Sequence, residues 1–305
     1  MLRLSTLALT VSIALCHPVL AQQAPPPTPS QTNVPHNAPL NPALPTVFIV
    51  GDSTARNSAD LGWGDHFAQF FDTSRINVAN RAIAGRSARS YIDEGHWATT
   101  LAEMKSGDYL LLQMGHNDGG DLGGAKPRGD LKGTGDETQD VAQTTGPYAG
   151  RVETIHTFGW YLRKIIDDAK VKGVHPILLT PTIRNIWTAP DSSPCGAATQ
   201  SVCPAGAHIE HDMGYNDWIR QVAAQEQIPV LELGATEANR LEALGPDKTA
   251  PLFPIDHTHT SPEGANLVAE TVAAVIRSSN DSLSSYLKPL SRNSSNSGAQ
   301  SSKTQ

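Results

Sequence analysis

Four short polar stretches of this chain carry side chains of the kinds that do covalent chemistry. Gly51-Asp52-Ser53-Thr54 offers a hydroxyl. Residues 80–87 read N-R-A-I-A-G-R-S, Gly115-His116-Asn117-Asp118 offers an amide, and Asp256-His257-Thr258-His259 offers a carboxylate and two imidazoles. A serine hydroxyl is a poor nucleophile until a base takes its proton in the transition state. An imidazole held in one tautomer by a carboxylate is such a base. The same two histidines could instead ligate a metal, given a third donor, and the tripeptide H-T-H does not choose between the two. Spacing helps: residues three apart in a tight turn before a helix lie on the same side. Asp256 can therefore reach position 259, while His257 projects elsewhere and is expected to support or pack. Each stretch has a plainer reading too. Asn117-Asp118-Gly119-Gly120 is a good turn sequence, and Asp52 could be a cap.

The elements that must position these groups follow from periodicity. Short apolar runs at Val47–Val50, Ile76–Val78, Tyr109–Leu112, Pro176–Leu179 and Pro229–Leu233 read as buried strands. Between them lie helical patterns. The clearest runs from Val152 to Lys172, with Ile155, Phe158, Leu162, Ile165, Ile166 and Ala169 on one stripe. Others span 90–105, 214–226 and 236–244. A last helix starts at Ser261, a good N-cap, with Pro262 at the first helical position. Alternating strands and helices with continuously apolar strands imply a parallel sheet covered on both faces. In such sheets function collects at the carboxyl ends of the strands. The first three polar stretches each follow a strand, and the fourth precedes the last helix.

In that order, V-G-D-S-T-A-R-N, A-G-R-S-A-R-S-Y, M-G-H-N-D and I-D-H-T-H-T-S-P-E-G-A resemble the four blocks of the SGNH (GDSL-type) hydrolases, nearest to their rhamnogalacturonan acetylesterase branch. The resemblance runs from about residue 46 to 280. It implies a three-layer α/β/α sandwich, flavodoxin-like, on a mainly parallel five-stranded sheet. It implies Ser53 as nucleophile, His259 as base and Asp256 as its orienting carboxylate. It assigns the oxyanion donors to the backbone N–H groups of Ser53 and Gly85 and the side-chain amide of Asn117. Asp52 and Asp118 are expected to order loops. The reaction implied is ester hydrolysis through an acetyl-Ser53 intermediate, with neither metal nor cofactor, removing O-acetyl groups from an acetylated plant polysaccharide such as rhamnogalacturonan. Arg56, Arg81, Arg86 and Arg89 fall in or beside the first two blocks, and arginine suits bidentate carboxylate binding. Arg86 and Arg89 are the expected substrate contacts, against the plainer reading that they pair with Asp93 and Glu94.

Composition bounds the rest. Residues 1–21 read as a secretory signal peptide, too short in its apolar run to anchor in a membrane. Leu15 before Cys16 speaks against lipidation. Residues 22–45 form a Pro-rich linker, 46–288 a single hydrolase domain, and 289–305 a polar tail with the glycosylation acceptor pattern Asn293-Ser294-Ser295. The expected location is extracellular or periplasmic, as a monomer. Cys195 and Cys203 are expected to pair in a disulfide. Free thiols are the plain alternative, and a zinc site with His208 and His211 would need an unusual spacing. A net charge of −7 argues against nucleic acid as a partner, and no membrane association is expected. The Gly/Asp/Thr-rich insert around 119–146 is expected to rim the cleft. Rival readings are an esterase for acetylated xylan or homogalacturonan, a lipase or lysophospholipase, a non-catalytic carbohydrate-binding protein, and a metal hydrolase on His257 and His259. A lipase would want an apolar acyl tunnel, where the loops here are polar. A non-catalytic protein would tolerate loss of the serine, asparagine or histidine.

Overall fold

The computed structural model describes residues 39–58, 60–196, 201–279 and 281–289. The expected signal peptide, most of the linker and nearly all of the tail, with Asn293, lie outside the described residues.

In chain order, β1 is Thr46–Val50, β2 Asn77–Asn80, helix α1 Ala88–Asp93, α2 His96–Glu103 and β3 Tyr109–Leu112. Then come β4 Thr138–Ala142, β5 Val152–His156, α3 Phe158–Val171 and β6 His175–Leu179. Three two-residue strands follow, β7 Trp187–Thr188, β8 Pro194–Cys195 and β9 His208–Ile209. The chain closes with α4 Asn216–Glu226, β10 Val230–Leu231, α5 Leu233–Leu244, α6 Pro246–Thr249 and α7 Pro262–Ser278.

Five strands form one sheet in the order β2-β1-β3-β6-β10, with every pairing parallel. The pleat divides each strand between two cores. Val47 and Ile49 of β1, Tyr109 and Leu111 of β3, and Ile177 and Leu179 of β6 pack with Trp63, Phe67 and the α7 stripe Val268, Val272 and Ile276. Phe48, Val50, Leu110, Leu112 and Leu178 face the other way, onto Phe158, Leu162, Ile165 and Ile166 of α3 and Ile219 and Val222 of α4. This is the expected three-layer α/β/α sandwich. A smaller core under the β8-β7-β9 sheet holds Trp187, Ile209, Leu241 and Cys195, which is bonded to Cys203.

The order β2-β1-β3-β6-β10 along the sheet places the point where the winding reverses between β1 and β3. Ligands of open parallel sheets bind outside the carboxyl ends of the strands at that point. The loops after those two strands are Gly51–Thr54 and Gly115–Asp118.

Three expected elements differ in extent. Val152–His156 is not the start of α3 but a strand antiparallel to β4. Its β-branched residues suit a strand, and Thr157 caps α3 by accepting from the Trp160 N–H at 3.1 Å, so the helix begins there. The helix expected over 90–105 breaks at Gly95, whose φ of +80° only glycine adopts without strain. Pro229–Leu233 contributes only two residues to the sheet, because α5 already begins at Leu233.

Candidate active site

Ser53 sits one turn beyond β1, buried to 9% exposure in a loop tied from below. Asp52 Oδ1 accepts from both the backbone N–H and the hydroxyl of Thr54, each at 2.8 Å. Gln113 donates to Thr54 Oγ1 at 2.7 Å and accepts from the Trp63 indole at 2.8 Å. The expectation that Asp52 orders a loop matches this geometry. Sequence reasoning does not single out Thr54, Gln113 or Trp63. The available signal is Gln113, a polar residue directly after an apolar strand.

The second stretch is attached to β1 by the Ile83 N–H to Gly51 O bond at 3.0 Å. It turns at Gly85, with φ +78°. Its serines form a capping box: Ser87 Oγ accepts from the Ser90 N–H and Ser90 Oγ accepts from the Ser87 N–H, which starts α1. The third stretch reaches across to it. Asn117 Nδ2 donates to Arg86 O at 2.9 Å. Asp118 bridges both stretches, accepting from the Ala88 N–H at 2.7 Å and the Gly115 N–H at 2.8 Å. Ser53, Gly85 and Asn117 are thus carried by three loops bound to one another at the β1/β3 end of the sheet.

The last stretch completes the cluster. His259 Nε2 lies 2.9 Å from Ser53 Oγ, and His259 Nδ1 lies 2.7 Å from Asp256 Oδ2. The other carboxylate oxygen, Asp256 Oδ1, accepts from the backbone N–H groups of Thr258 at 2.7 Å and His259 at 2.8 Å. Burial pushes the Asp256 carboxyl up, but the hydrogen bonds from the His259 ring and from these two N–H groups outweigh it and hold it below its ordinary value. The turn is anchored by Thr260, which donates to Leu61 O at 2.8 Å, and by Ser261, whose side chain caps α7 at the Gly264 N–H. His257 points away. Its ring Nδ1 meets Thr258 Oγ1 at 2.8 Å, and its carbonyl accepts from the Asn185 N–H. A serine hydroxyl, an imidazole and a carboxylate so linked can pass a proton out of the serine during nucleophilic attack. Among the described residues, no group of three or more His, Cys, Asp or Glu side chains is placed to hold a metal ion.

Two buried groups flank this relay. His116 donates or accepts at Thr182 Oγ1 across 2.9 Å, and burial lowers its basicity against the opposing charge of Asp52. Asp118 faces Asp130; burial, and then the charge of Asp52, push the Asp118 carboxyl up to about 7, while burial and the charge of Asp118 raise Asp130 well above the ordinary carboxylate range.

Of the two arginines expected at the substrate, one is unavailable. Arg89 is fully buried. Its guanidinium is committed to Asp93 at 3.1 Å, Glu153 at 2.9 Å, Leu122 O at 3.0 Å and Gly129 O at 2.8 Å. It therefore pins the 119–146 insert to α1 instead of meeting substrate. Arg86 is held by Glu94 at 2.7 Å and remains one-third exposed on a cavity wall.

Comparison with known proteins agrees with this geometry. A model of the family described as GDSL-like Lipase/Acylhydrolase matches residues 47–272. The chain belongs to that family. It is therefore a carboxylic ester hydrolase. A rhamnogalacturonan acetylesterase of Emericella nidulans is 34% identical over 242 residues, covering 79% of this chain and 89% of the relative. The rhamnogalacturonan acetylesterase RhgT of Bacillus subtilis is 31% identical over 247 residues, covering 74% of this chain and 87% of that protein. The crystal structure of the Bacillus subtilis protein YxiM superposes with a TM-score of 0.54 at 23% identity, over 77% of this chain and 56% of that one, a likeness of fold.

Proposed function

We propose that this hydrolase is a serine carbohydrate esterase that removes O-acetyl groups from rhamnogalacturonan, a plant cell-wall pectin. The observation that carries the mechanism is the hydrogen-bonded relay Ser53 Oγ–His259–Asp256 at the topological switch point of the sheet. Ser53 attacks the acetyl carbonyl as His259 Nε2 takes its proton. The oxyanion is received by the N–H groups of Ser53 and Gly85 and by the Asn117 amide. His259 then gives that proton to the departing sugar oxygen, which leaves as a free hydroxyl, and a water activated by the same imidazole releases acetate from acetyl-Ser53. Each oxyanion donor in such a site lowers the barrier by roughly 3–4 kcal/mol.

The activity of these relatives supports the substrate assignment, and the charged side chains Arg86, Glu94, Lys126 and Arg128 around Gly85 favour a sugar acid over a lipid chain. The Cys195–Cys203 bond supports an exported protein. The test is acetate release from a panel of acetylated pectins and xylans by wild type and Ser53→Ala. Preferential release from rhamnogalacturonan, abolished in the variant, is the expected result. Equal or better release from xylan refutes the substrate, and turnover by Ser53→Ala refutes the mechanism.

A further inference from the structure

A cavity of about 310 Å³ opens beside Gly85, between α1 and the 119–146 insert, and its walls include Arg86, Glu94, Lys126 and Arg128. That volume is at the lower end of the small-ligand range of roughly 300–1,000 Å³, enough to seat one sugar unit. Three cations and one carboxylate line it, in a chain whose net charge is −7. The carboxylate is already engaged, since Glu94 is shared by Arg86 at 2.7 Å and His96 at 3.0 Å. Arg128 has no such partner. Among the described residues its guanidinium meets no carboxylate, and its one hydrogen bond runs from Nη1 to the carbonyl of Gly85 at 3.3 Å. Lys126 is exposed at the rim without an ion pair among the described residues.

The loop that presents Arg128 is held in place. The N–H groups of Arg128 and Gly129 donate to Asp121 O at 3.0 and 2.9 Å, and the Asp130 N–H donates to Asp118 O at 3.0 Å. Arg89 grips Gly129 O from beneath. A Cβ on Gly129 would fall 1.9 Å from Gly120 O, so this close crossing of the loop requires glycine. Ordering these residues in advance reduces what binding must spend on immobilising them.

We infer that this cavity is a subsite for a uronate carboxylate of the polysaccharide, with Arg128 as its principal contact and Lys126 as a second charge. The inference rests on the proposed acetylesterase reading. Gly85 joins the two sites: its N–H serves the oxyanion of the reacting acetyl group, while its carbonyl holds Arg128. A carboxylate on the Arg128 fork therefore lies beside Gly85, the residue assigned to the oxyanion. The planar guanidinium suits two-oxygen recognition of a carboxylate, and the insert then distinguishes acidic pectic chains from neutral acetylated glycans.

The test uses the full chain and two readouts. The first is inhibition of 4-nitrophenyl acetate hydrolysis by trigalacturonate and by its methyl ester. The second is acetate release from acetylated rhamnogalacturonan before and after methyl esterification. Trigalacturonate is expected to compete in the wild type, more weakly at 0.3 M than at 0.05 M salt because screening shortens the reach of charge, and its methyl ester much less. Arg128→Ala should raise the trigalacturonate Ki roughly ten- to hundredfold, the range for hydrogen bonds to charged groups. Arg128→Lys should recover part of that loss. In Arg128→Ala the loss of kcat/KM on the acidic polymer should exceed the loss on nitrophenyl acetate at least tenfold. Absence of inhibition in the wild type, equal inhibition by the methyl ester, or a Ki unchanged in Lys126→Ala/Arg128→Ala overturns the subsite. If inhibition depends on Arg128 but rhamnogalacturonan is not deacetylated, the subsite stands and the proposed polymer is wrong. If rhamnogalacturonan is deacetylated with no dependence on Arg128, the polymer stands and the subsite is wrong.

Discussion

Asp256→Asn separates the electronic role of Asp256 from its structural one. The carboxylate does two jobs with two oxygens. Oδ1 accepts from the N–H groups of Thr258 and His259 at 2.7 and 2.8 Å and so shapes the turn, while Oδ2 faces His259 Nδ1 at 2.7 Å. An asparagine can keep its carbonyl oxygen on the two N–H groups. It then presents an amide donor to Nδ1. The imidazole must answer with the tautomer that carries its proton on Nε2, where it can no longer accept from Ser53 Oγ. In a serine protease the corresponding change lowers kcat by about 10⁴ with geometry intact, and a loss of that order is expected here. Asp256→Ala should lose a similar factor in rate. It also strands two turn N–H groups, which at roughly 1 kcal/mol each costs about 2 kcal/mol of stability. For a domain of this size that is a fall in Tm of about 4–8 °C. The assay is nitrophenyl acetate hydrolysis by both purified variants, beside thermal melts followed by circular dichroism. If Asp256→Asn keeps activity within tenfold of wild type while melting normally, the carboxylate does not set the tautomer and the relay must be redrawn.

Ser53→Ala and His259→Ala should each lose several orders of magnitude, and the double variant should be little worse than either, because the two act as one unit; additive losses would contradict this. His257→Ala should retain activity within about fivefold, since the ring meets only Thr258 and the carbonyl bond from Asn185 survives. Glu237 is buried, accepts from the Ile183 N–H at 3.1 Å, and is pushed up from 4.5 to about 8 by that burial against the pull of this N–H and of Arg240. The folded chain then holds a proton that the unfolded chain releases, so the contribution of Glu237 to stability should be full below pH 4.5 and fall by on the order of 5 kcal/mol as pH rises to about 8. Glu237→Gln should flatten that slope in denaturant titrations at several pH values, and an unchanged slope would assign it elsewhere. Reducing Cys195–Cys203, which closes a separation of 8 residues, should cost about 2–3 kcal/mol, read by calorimetry with and without dithiothreitol.

The alternation of apolar runs with helical patterns is enough to read the sheet class from the sequence, because a doubly covered parallel strand has no polar face to spare. Asp256 and His259 are legible as partners because they are local: a three-residue separation in a turn before the Ser261 cap leaves little conformational choice. What the sequence does not determine is long-range. Ser53 and His259 are 206 positions apart, and only the strand order 2-1-3 and the packing of α7 on the sheet bring Oγ and Nε2 to 2.9 Å. The arginines show the same limit more sharply. Arg86, Arg89 and Arg128 are alike in type, and neighbouring residues cannot say which is buried. Tertiary structure decides it by surrounding Arg89 with Asp93, Glu153 and two carbonyls, pairing Arg86 with Glu94, and leaving Arg128 without a carboxylate among the described residues. The strand Val152–His156 reads as helix in the sequence for a related reason, since its pairing partner Thr138–Ala142 comes from the insert and is invisible to local periodicity. Side-chain pattern along a segment therefore determined the layers of this protein, while contacts between segments far apart in the chain determined which charged groups are buried and which line the cavity beside Gly85.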